Sequence, residues 1–356
     1  MLKSNVIMRK AILVLVVISL FLAINNYSSE VTPSVKFIQL TFSTGPVSEY
    51  PSLNMSGHLM GFISDGDFVT GSNPEFNMEL FLMDIYTHNI NQLTYTASAR
   101  LMDISLDGAG KKVVFVTTSD LIPWENADSN SEVFVLNTDG SGLKQLTHSL
   151  GLGGNVLPNI DRQGRKVVFQ STDDLIPGQN TDGFNEIFMV NADGTGLRQL
   201  TSSPVPSQSA CFDASGKSVI FVSSYNFTGE NPDWGDELFM MNLMTNEIVQ
   251  LSNVTNLYGV SVCGRPAVDS AMKKIVFGSE RDPIFGGNPD GNSEIFMLDL
   301  RSRQITQLTS TVGGRGSWGT SISGDGNTIA FSSDRDLVPG SNTDGIEQIF
   351  LAVWEK

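Results

Sequence analysis

Six loops in this chain carry one pattern of oxygen-bearing side chains: an asparagine, an acid two residues on and, in five of the six, an acid six residues on. The instances are Asn73/Glu75/Glu79, Asn126/Asp128/Glu132, Asn180/Asp182/Glu186, Asn231/Asp233/Glu237 and Asn288/Asp290/Glu294. Asn342/Asp344 closes the series, with Gln348 in the acid's place. Amide and carboxylate oxygens at alternate positions of a glycine-containing loop suit a hard cation such as calcium. On that reading the candidate metal ligands are Asn180, Asp182, Asn231, Asp233, Asn288 and Asp290, in one or two loops rather than all six. The same residues also stabilise loops as Asx turns, with glycine supplying positive φ. The spacing does not match the twelve-residue calcium loop. Both readings stay open at this level.

The same loops hold Trp124 and Trp234, whose indoles could stack on a sugar or a partner, or pack the loop against its neighbour. Arg281 and Arg335, in SERD and SDRD, could contact an anionic ligand or salt-bridge locally. The candidate ligand-binding set is Asp182, Glu186, Asp233, Glu237, Asp290, Glu294, Trp124, Trp234, Arg281 and Arg335. Catalytic constellations are scarce. His58, His88 and His148 fall at unrelated points, which suggests neither a histidine zinc site nor a Ser-His-Asp triad. No phosphate-cradling glycine loop precedes a helix. The many carboxylates leave a glycosidase or lyase pair open.

What positions these loops is a repeat. Gln-Leu-Thr ends at Thr41, Thr94, Thr147, Thr201 and Thr309, with Gln-Leu-Ser ending at Ser252, at intervals of 53, 53, 54, 51 and 57 residues. A period of this length marks a repeat architecture. The unit Leu157 to Thr201 reads as four short strands: one ending at Asp161, then Lys166–Gln170, Glu186–Val190 and Leu197–Thr201. The turn Asn191-Ala192-Asp193-Gly194 is a hairpin signal. Phenylalanine recurs on the second strand (Phe62, Phe115, Phe169, Phe221, Phe277, Phe331) and on the third (Phe81, Phe134, Phe188, Phe239, Phe296, Phe350), as sheets packed around a ring require. The expectation is an all-β, six-bladed β-propeller of four-stranded antiparallel blades over residues 35–356. The sixth unit lacks its own Gln-Leu-Thr strand, so Val35 to Thr41 is expected to complete the last blade and close the ring. Strand alternation places the six long loops on one face and the tight turns on the other. Loops on a rigid scaffold are where binding resides.

Units such as NADGTGLRQLT and SSDRDLVPGSNTDGIEQIF resemble the TolB-type, WD-repeat-like propeller family, whose blades commonly end EI(Y/F)VMNADGSxxRQLT. The resemblance covers about 320 residues, from Val35 onward. It implies the six-bladed fold, here without the α/β domain that precedes the propeller in TolB itself.

Lys3, Arg9 and Lys10 precede an apolar run, Ala11 to Ile24, of 14 residues. That is short for a membrane span and normal for a signal peptide. Residues 1–24 are read as a signal peptide or an uncleaved N-terminal anchor, and 25–34 as a linker. The body is expected outside the cytoplasm: periplasmic, secreted or at the cell surface. Losing those three cations would take the net charge from −16 to −19. So acidic a domain argues against nucleic acid and anionic membrane surfaces as partners. Cys211 and Cys263 could form one bridge in an oxidising compartment. The composite expectation is a monomeric, non-catalytic binding or assembly module for an envelope or extracellular protein or polysaccharide. The alternative is a calcium-dependent propeller enzyme acting on a lactone or sugar.

Overall fold

The computed structural model describes residues 35–42, 45–96, 101–149, 151, 154–254 and 259–354, with Cys263 as backbone only. The expected signal peptide and linker lie outside the described residues. The compact body is Phe37–Val353. Among the described residues there are 24 strands and no helix.

The strands form six four-stranded antiparallel sheets. Blade one is β2 (Ser48–Leu53), β3 (Leu59–Ser64), β4 (Glu79–Asp84) and β5 (Ile90–Gln92). Blade two is β6 (Leu101–Leu106), β7 (Lys112–Thr117), β8 (Glu132–Asn137) and β9 (Lys144–Gln145). Blade three is β10 (Asn155–Ile160), β11 (Lys166–Ser171), β12 (Glu186–Asn191) and β13 (Arg198–Gln199). Blade four is β14 (Ser207–Phe212), β15 (Ser218–Ser223), β16 (Glu237–Asn242) and β17 (Ile248–Gln250). Blade five is β18 (Val262–Val268), β19 (Lys274–Ser279), β20 (Glu294–Asp299) and β21 (Ile305–Gln307). Blade six is β22 (Ser317–Ile322), β23 (Thr328–Ser333) and β24 (Gln348–Trp354), completed by β1 (Val35–Gln39). The first strand of each blade packs on that of the next, and β22 returns to β2, so the ring closes.

The recurring phenylalanines are the core. Second- and third-strand rings sit directly opposite in all six blades, as in Phe115↔Phe134 and Phe277↔Phe296. They stack with centroids 5.5 to 6.1 Å apart. All twelve are fully buried. Such pairs add to the transfer gain of about 2 kcal/mol per buried side chain.

The Gln-Leu-Thr motif has a separate task. Its leucine N–H donates to the carbonyl of the second residue of the third strand: Leu80, Val133, Ile187, Leu238, Ile295 or Ile349, at 2.7 to 2.8 Å. The threonine or serine hydroxyl two positions after the glutamine accepts the N–H of that same residue, at 2.8 to 2.9 Å. One residue is thus gripped by both backbone groups. In blade six the grip is made by Leu40 and Thr41 on Ile349, which joins the two ends of the chain. The motif glutamine folds back to the threonine carbonyl, as in Gln92 Nε2 to Thr94 O at 2.8 Å.

Thr147→Val keeps the side-chain volume and removes the hydroxyl. It leaves the buried Val133 N–H unpaired and should cost about 2 kcal/mol, measured by urea unfolding.

Candidate functional site

The six long loops join second to third strands, and they share a face with the start of each blade's first strand. The pairings Ser48↔Ser64 and Asn155↔Ser171 fix that placement. Each loop asparagine is buried, and its amide Nδ2 donates to the carbonyl four residues on, at 2.7 to 3.1 Å. An aspartate six residues earlier accepts backbone N–H groups of the loop. Asp174 takes those of Gly178, Gln179 and Asn180, for example. Those amides, Asn180's foremost, hold the Asp174 carboxyl below its ordinary range. In blade four Asn226 takes the aspartate's part, accepting from the Asn231 N–H at 2.9 Å.

The acids of the sequence pattern part company. Asp182, Asp233 and Asp290 are exposed, whereas Glu186, Glu237 and Glu294 are at most 1% exposed. The glutamates open their third strands and bind the chain beyond the fourth. Glu132 accepts from the Thr147 hydroxyl and the Ser149 N–H, and Glu237 from the Ser252 hydroxyl and the Val254 N–H. Asn180, Asn231 and Asn288 are buried at 4%, 1% and 4%, their amides turned into their own loops. Among the described residues no three His, Cys, Asp or Glu side chains group as metal ligands would. Burial pushes the Glu237 carboxyl up to about 7, against the pull of Ser252 and Val254 and with help from Asp233 and Asp236.

Each loop also contains left-handed positions. Three residues after the asparagine stand Phe76, Ser129, Gly183, Trp234, Gly291 and Gly345, with φ between 54° and 73°. Four residues after the loop aspartate stand Gly71, Trp124, Gly178, Gly286 and Gly340, with φ between 73° and 89°. Glycine takes this conformation freely, whereas a side chain costs about 1 kcal/mol. Three of these positions nevertheless carry large aromatics that face solvent: Phe76 (59% exposed), Trp124 (87%) and Trp234 (52%). Phe285, at φ 48°, is 96% exposed. Trp234 also meets Tyr225 edge-on at 5.8 Å.

Arg335 pairs with Asp334 at 2.7 Å within blade six and donates to the Val312 carbonyl. Arg281 is exposed, and its charge opposes the burial that raises the Asp236 carboxyl's pKa. His58 packs edge-on against Tyr86 at 4.4 Å, and His148 lies beside the Gln145 amide. Cys211 is a free buried thiol, pushed up to about 12 by burial. The side chain of Cys263 lies outside the described residues.

The channel is the other concave feature. Every first strand has a bulge whose left-handed residue is Tyr50, Asp103, Leu157, Ser209, Gly264 or Gly319. On the long-loop side a cavity of ≈ 320 Å³ is lined by Tyr50, Asp103, Leu157, Glu280, Arg315 and Trp318, among others. On the tight-turn side a cavity of ≈ 80 Å³ includes Ser105, Asn159, Arg162, Cys211 and Pro266. Arg265 crosses between them from blade five, its guanidinium donating to the carbonyls of Ile104 in blade two and Pro158 in blade three. Asp103 is 6% exposed; burial raises its pKa, and the nearby Arg265 charge opposes that. Nearer the tight turns, Arg162 of blade three reaches back to the Val268 carbonyl at 3.0 Å and to the Ser270 hydroxyl.

No family model matches the chain. Among curated proteins, dipeptidyl-peptidase 5 of Porphyromonas endodontalis is 25% identical over 140 residues, 39% of this chain. The chain spans only 18% of that relative's length. Two solved TolB structures align with TM-scores of 0.56 at 13% identity. For the Acinetobacter baumannii protein the alignment covers 85% of this chain and 66% of that one. For the putative TolB of Agrobacterium tumefaciens it covers 91% and 98%. The fold is that of a TolB-like six-bladed propeller. A Xanthomonas campestris gluconolactonase also aligns, with TM-score 0.54 at 10% identity over 90% of each chain. These likenesses establish the fold and leave the activity open.

Arg265 and Asp103 of this TolB-like propeller were not singled out from sequence, although a signal was there; Arg162, in a turn, carried none. Arg265 is the only basic residue in the six first strands, and Asp103 the only acid at a bulge. Replacing Arg265 with Met removes the charge near the buried Asp103 carboxyl, which keeps only the Leu157 N–H at 3.3 Å, and takes the donor from two carbonyls in the channel. It should cost about 3 kcal/mol, read by urea unfolding, and adding Asp103→Asn should recover part of the loss.

Glu237 supplies a pH test. In the unfolded chain it titrates near 4.5, and in the fold at about 7. Between these values the fold holds a proton that the unfolded chain has released, so its contribution to stability falls as pH rises and levels off above the folded value. Glu237→Gln, the residue blade six already has at Gln348, removes the dependence. The variant should gain on the wild type in thermal unfolding between about pH 5 and about pH 8.

Proposed function

We propose that this propeller is an exported binding module that captures a protein or polysaccharide partner on its long-loop face. The observation that carries the reading is the exposure of large aromatics on loops that are otherwise tightly tied down. Phe76, Trp124, Trp234 and Phe285 project from four different blades on the same face. Apolar surface of this kind on a rigid scaffold marks an interaction site. The opposite face ends in short turns such as Asn137–Gly140, closed by their own hydrogen bonds. The acids Asp182, Asp233 and Asp290 are exposed on the long loops of the same face and add negative charge to it.

The reading is tested by affinity capture from envelope extract. A Phe76→Gly/Trp124→Gly/Trp234→Gly variant should lose whatever the wild type retains, while Met244→Ser on the tight-turn face should keep it. Equal retention by both variants would remove the long-loop face from the account.

A calcium-dependent enzyme is the second reading. It draws on the channel cavity with Asp103 and Glu280, and on the fold shared with a gluconolactonase. A ligand that binds only the folded state raises its melting temperature. EDTA followed by excess calcium should therefore leave the unfolding curve in place if the binder reading holds. A calcium-dependent rise of several degrees would favour the enzyme.

A further inference from the structure

We infer that the occupant of the long-loop face is a cationic polypeptide segment, held by arginine or lysine side chains that stack on the loop aromatics. This rests on the proposed binding role of that face and specifies the partner's chemistry.

Three observations converge. The first is where the aromatics stand. Phe76, Trp124 and Trp234 occupy left-handed positions that other blades give to glycine: Gly183, Gly291 and Gly345 for two of them, Gly71, Gly178, Gly286 and Gly340 for the third. The fold therefore works with glycine there. Trp124, at 87% exposure, recovers almost nothing by packing, so the ring is retained against a local conformational cost.

The second is what stands beside them. Glu75 precedes Phe76, Glu125 follows Trp124 and Asp233 precedes Trp234, and all three acids are exposed. An exposed ring whose chain neighbour is an exposed carboxylate offers a cation both a quadrupole and a counter-charge within one loop. The structure already makes such a contact for itself. The Arg315 guanidinium lies 4.2 Å from the Trp318 ring centroid and pairs with Glu49 and Glu347 at 3.3 and 3.5 Å.

The third is charge. The chain carries 38 acidic against 22 basic residues. Each long loop exposes the acid that follows its asparagine by two. Such a field attracts a basic segment and repels an acidic one before contact is made. A neutral sugar would use the rings without needing the carboxylate beside each of them.

The experiment titrates the full chain into a fluorescein-labelled peptide of alternating arginine and glycine at physiological salt, read by anisotropy. Trp124→Gly/Trp234→Gly should lower affinity by about tenfold. Glu75→Gln/Glu125→Gln/Asp233→Asn should lower it by a similar factor and flatten its salt dependence. Asp139→Asn/Asp193→Asn, on the tight-turn face, should leave it unchanged. Thermal unfolding of Trp124→Gly should show no loss, which separates a binding defect from misfolding. Equal weakening by the tight-turn variant would reduce the interaction to general charge attraction and overturn the inference, as would full affinity in the aromatic variant. Ring-dependent binding of an uncharged polysaccharide, with none of the peptide, would overturn the cationic partner and leave the face itself standing. Loss of the face as a site would show instead in the capture experiment.

Discussion

The fold depends on a two-sided grip of the fourth strand on the third. The leucine N–H and the threonine hydroxyl of each Gln-Leu-Thr seize the carbonyl and N–H of one residue, the second of the third strand. The arrangement satisfies a backbone donor and an acceptor that would otherwise be buried unpaired, at a cost comparable to a lost hydrogen bond each. The buried glutamate before the gripped residue extends the hold to the chain leaving the blade, as Glu132 does with Ser149 and Glu237 with Val254. In blade six the same grip is made by Leu40 and Thr41, more than three hundred residues away in sequence. Ring closure therefore uses no special device. It is the ordinary blade contact, made between the two ends of the propeller, and it covers the edge of β24 as the fourth strand covers the third in every other blade.

Neighbouring blades are joined by a second set of contacts, and these are unevenly distributed. Ser321 accepts the Leu53 N–H, Ser52 that of Leu106, Ser105 that of Ile160 and Asn159 that of Phe212. This belt runs from blade six through blades one, two and three into blade four. At the equivalent places in blades four and five stand Cys211 and Ala267, a weak acceptor and no acceptor at all. Blade five is bonded to blade six by Thr320, whose hydroxyl faces the Arg265 and Val276 carbonyls, and is also tied across the channel. Arg265 reaches blades two and three, and Arg162 of blade three reaches back to blade five. Arg265 stands between the two cavities of the channel, one on the long-loop side and one on the tight-turn side.

The long loops are rigid for a reason visible in their own chemistry. A buried asparagine and, in most blades, an aspartate six residues before it satisfy the backbone groups of each loop from within. The loop needs no contact with a ligand to hold its shape. What remains available on the surface is the exposed acid and whatever side chain occupies the left-handed positions. A preorganised loop loses little conformational freedom on binding, so its exposed rings can contribute most of their contact energy to affinity.

Sequence by itself determined the architecture. A fifty-odd residue period, phenylalanine at two fixed strand positions and an orphan first strand are local patterns, and each states its own strand, register and count. Blade number, closure and the face that bears the loops follow from them. Sequence also picked out the loop pattern, but not which of its members face solvent. Asn180, Asp182 and Glu186 look alike as oxygen donors in a linear chain, yet the first bonds its own loop, the second is exposed and the third is sealed within the blade. That sorting depends on where the strand begins and on the φ of single residues, which only the folded backbone fixes. The channel was decided by tertiary structure alone. Arg265 and Asp103 are more than one hundred and fifty residues apart, and nothing along the chain brings them together except the closing of the ring.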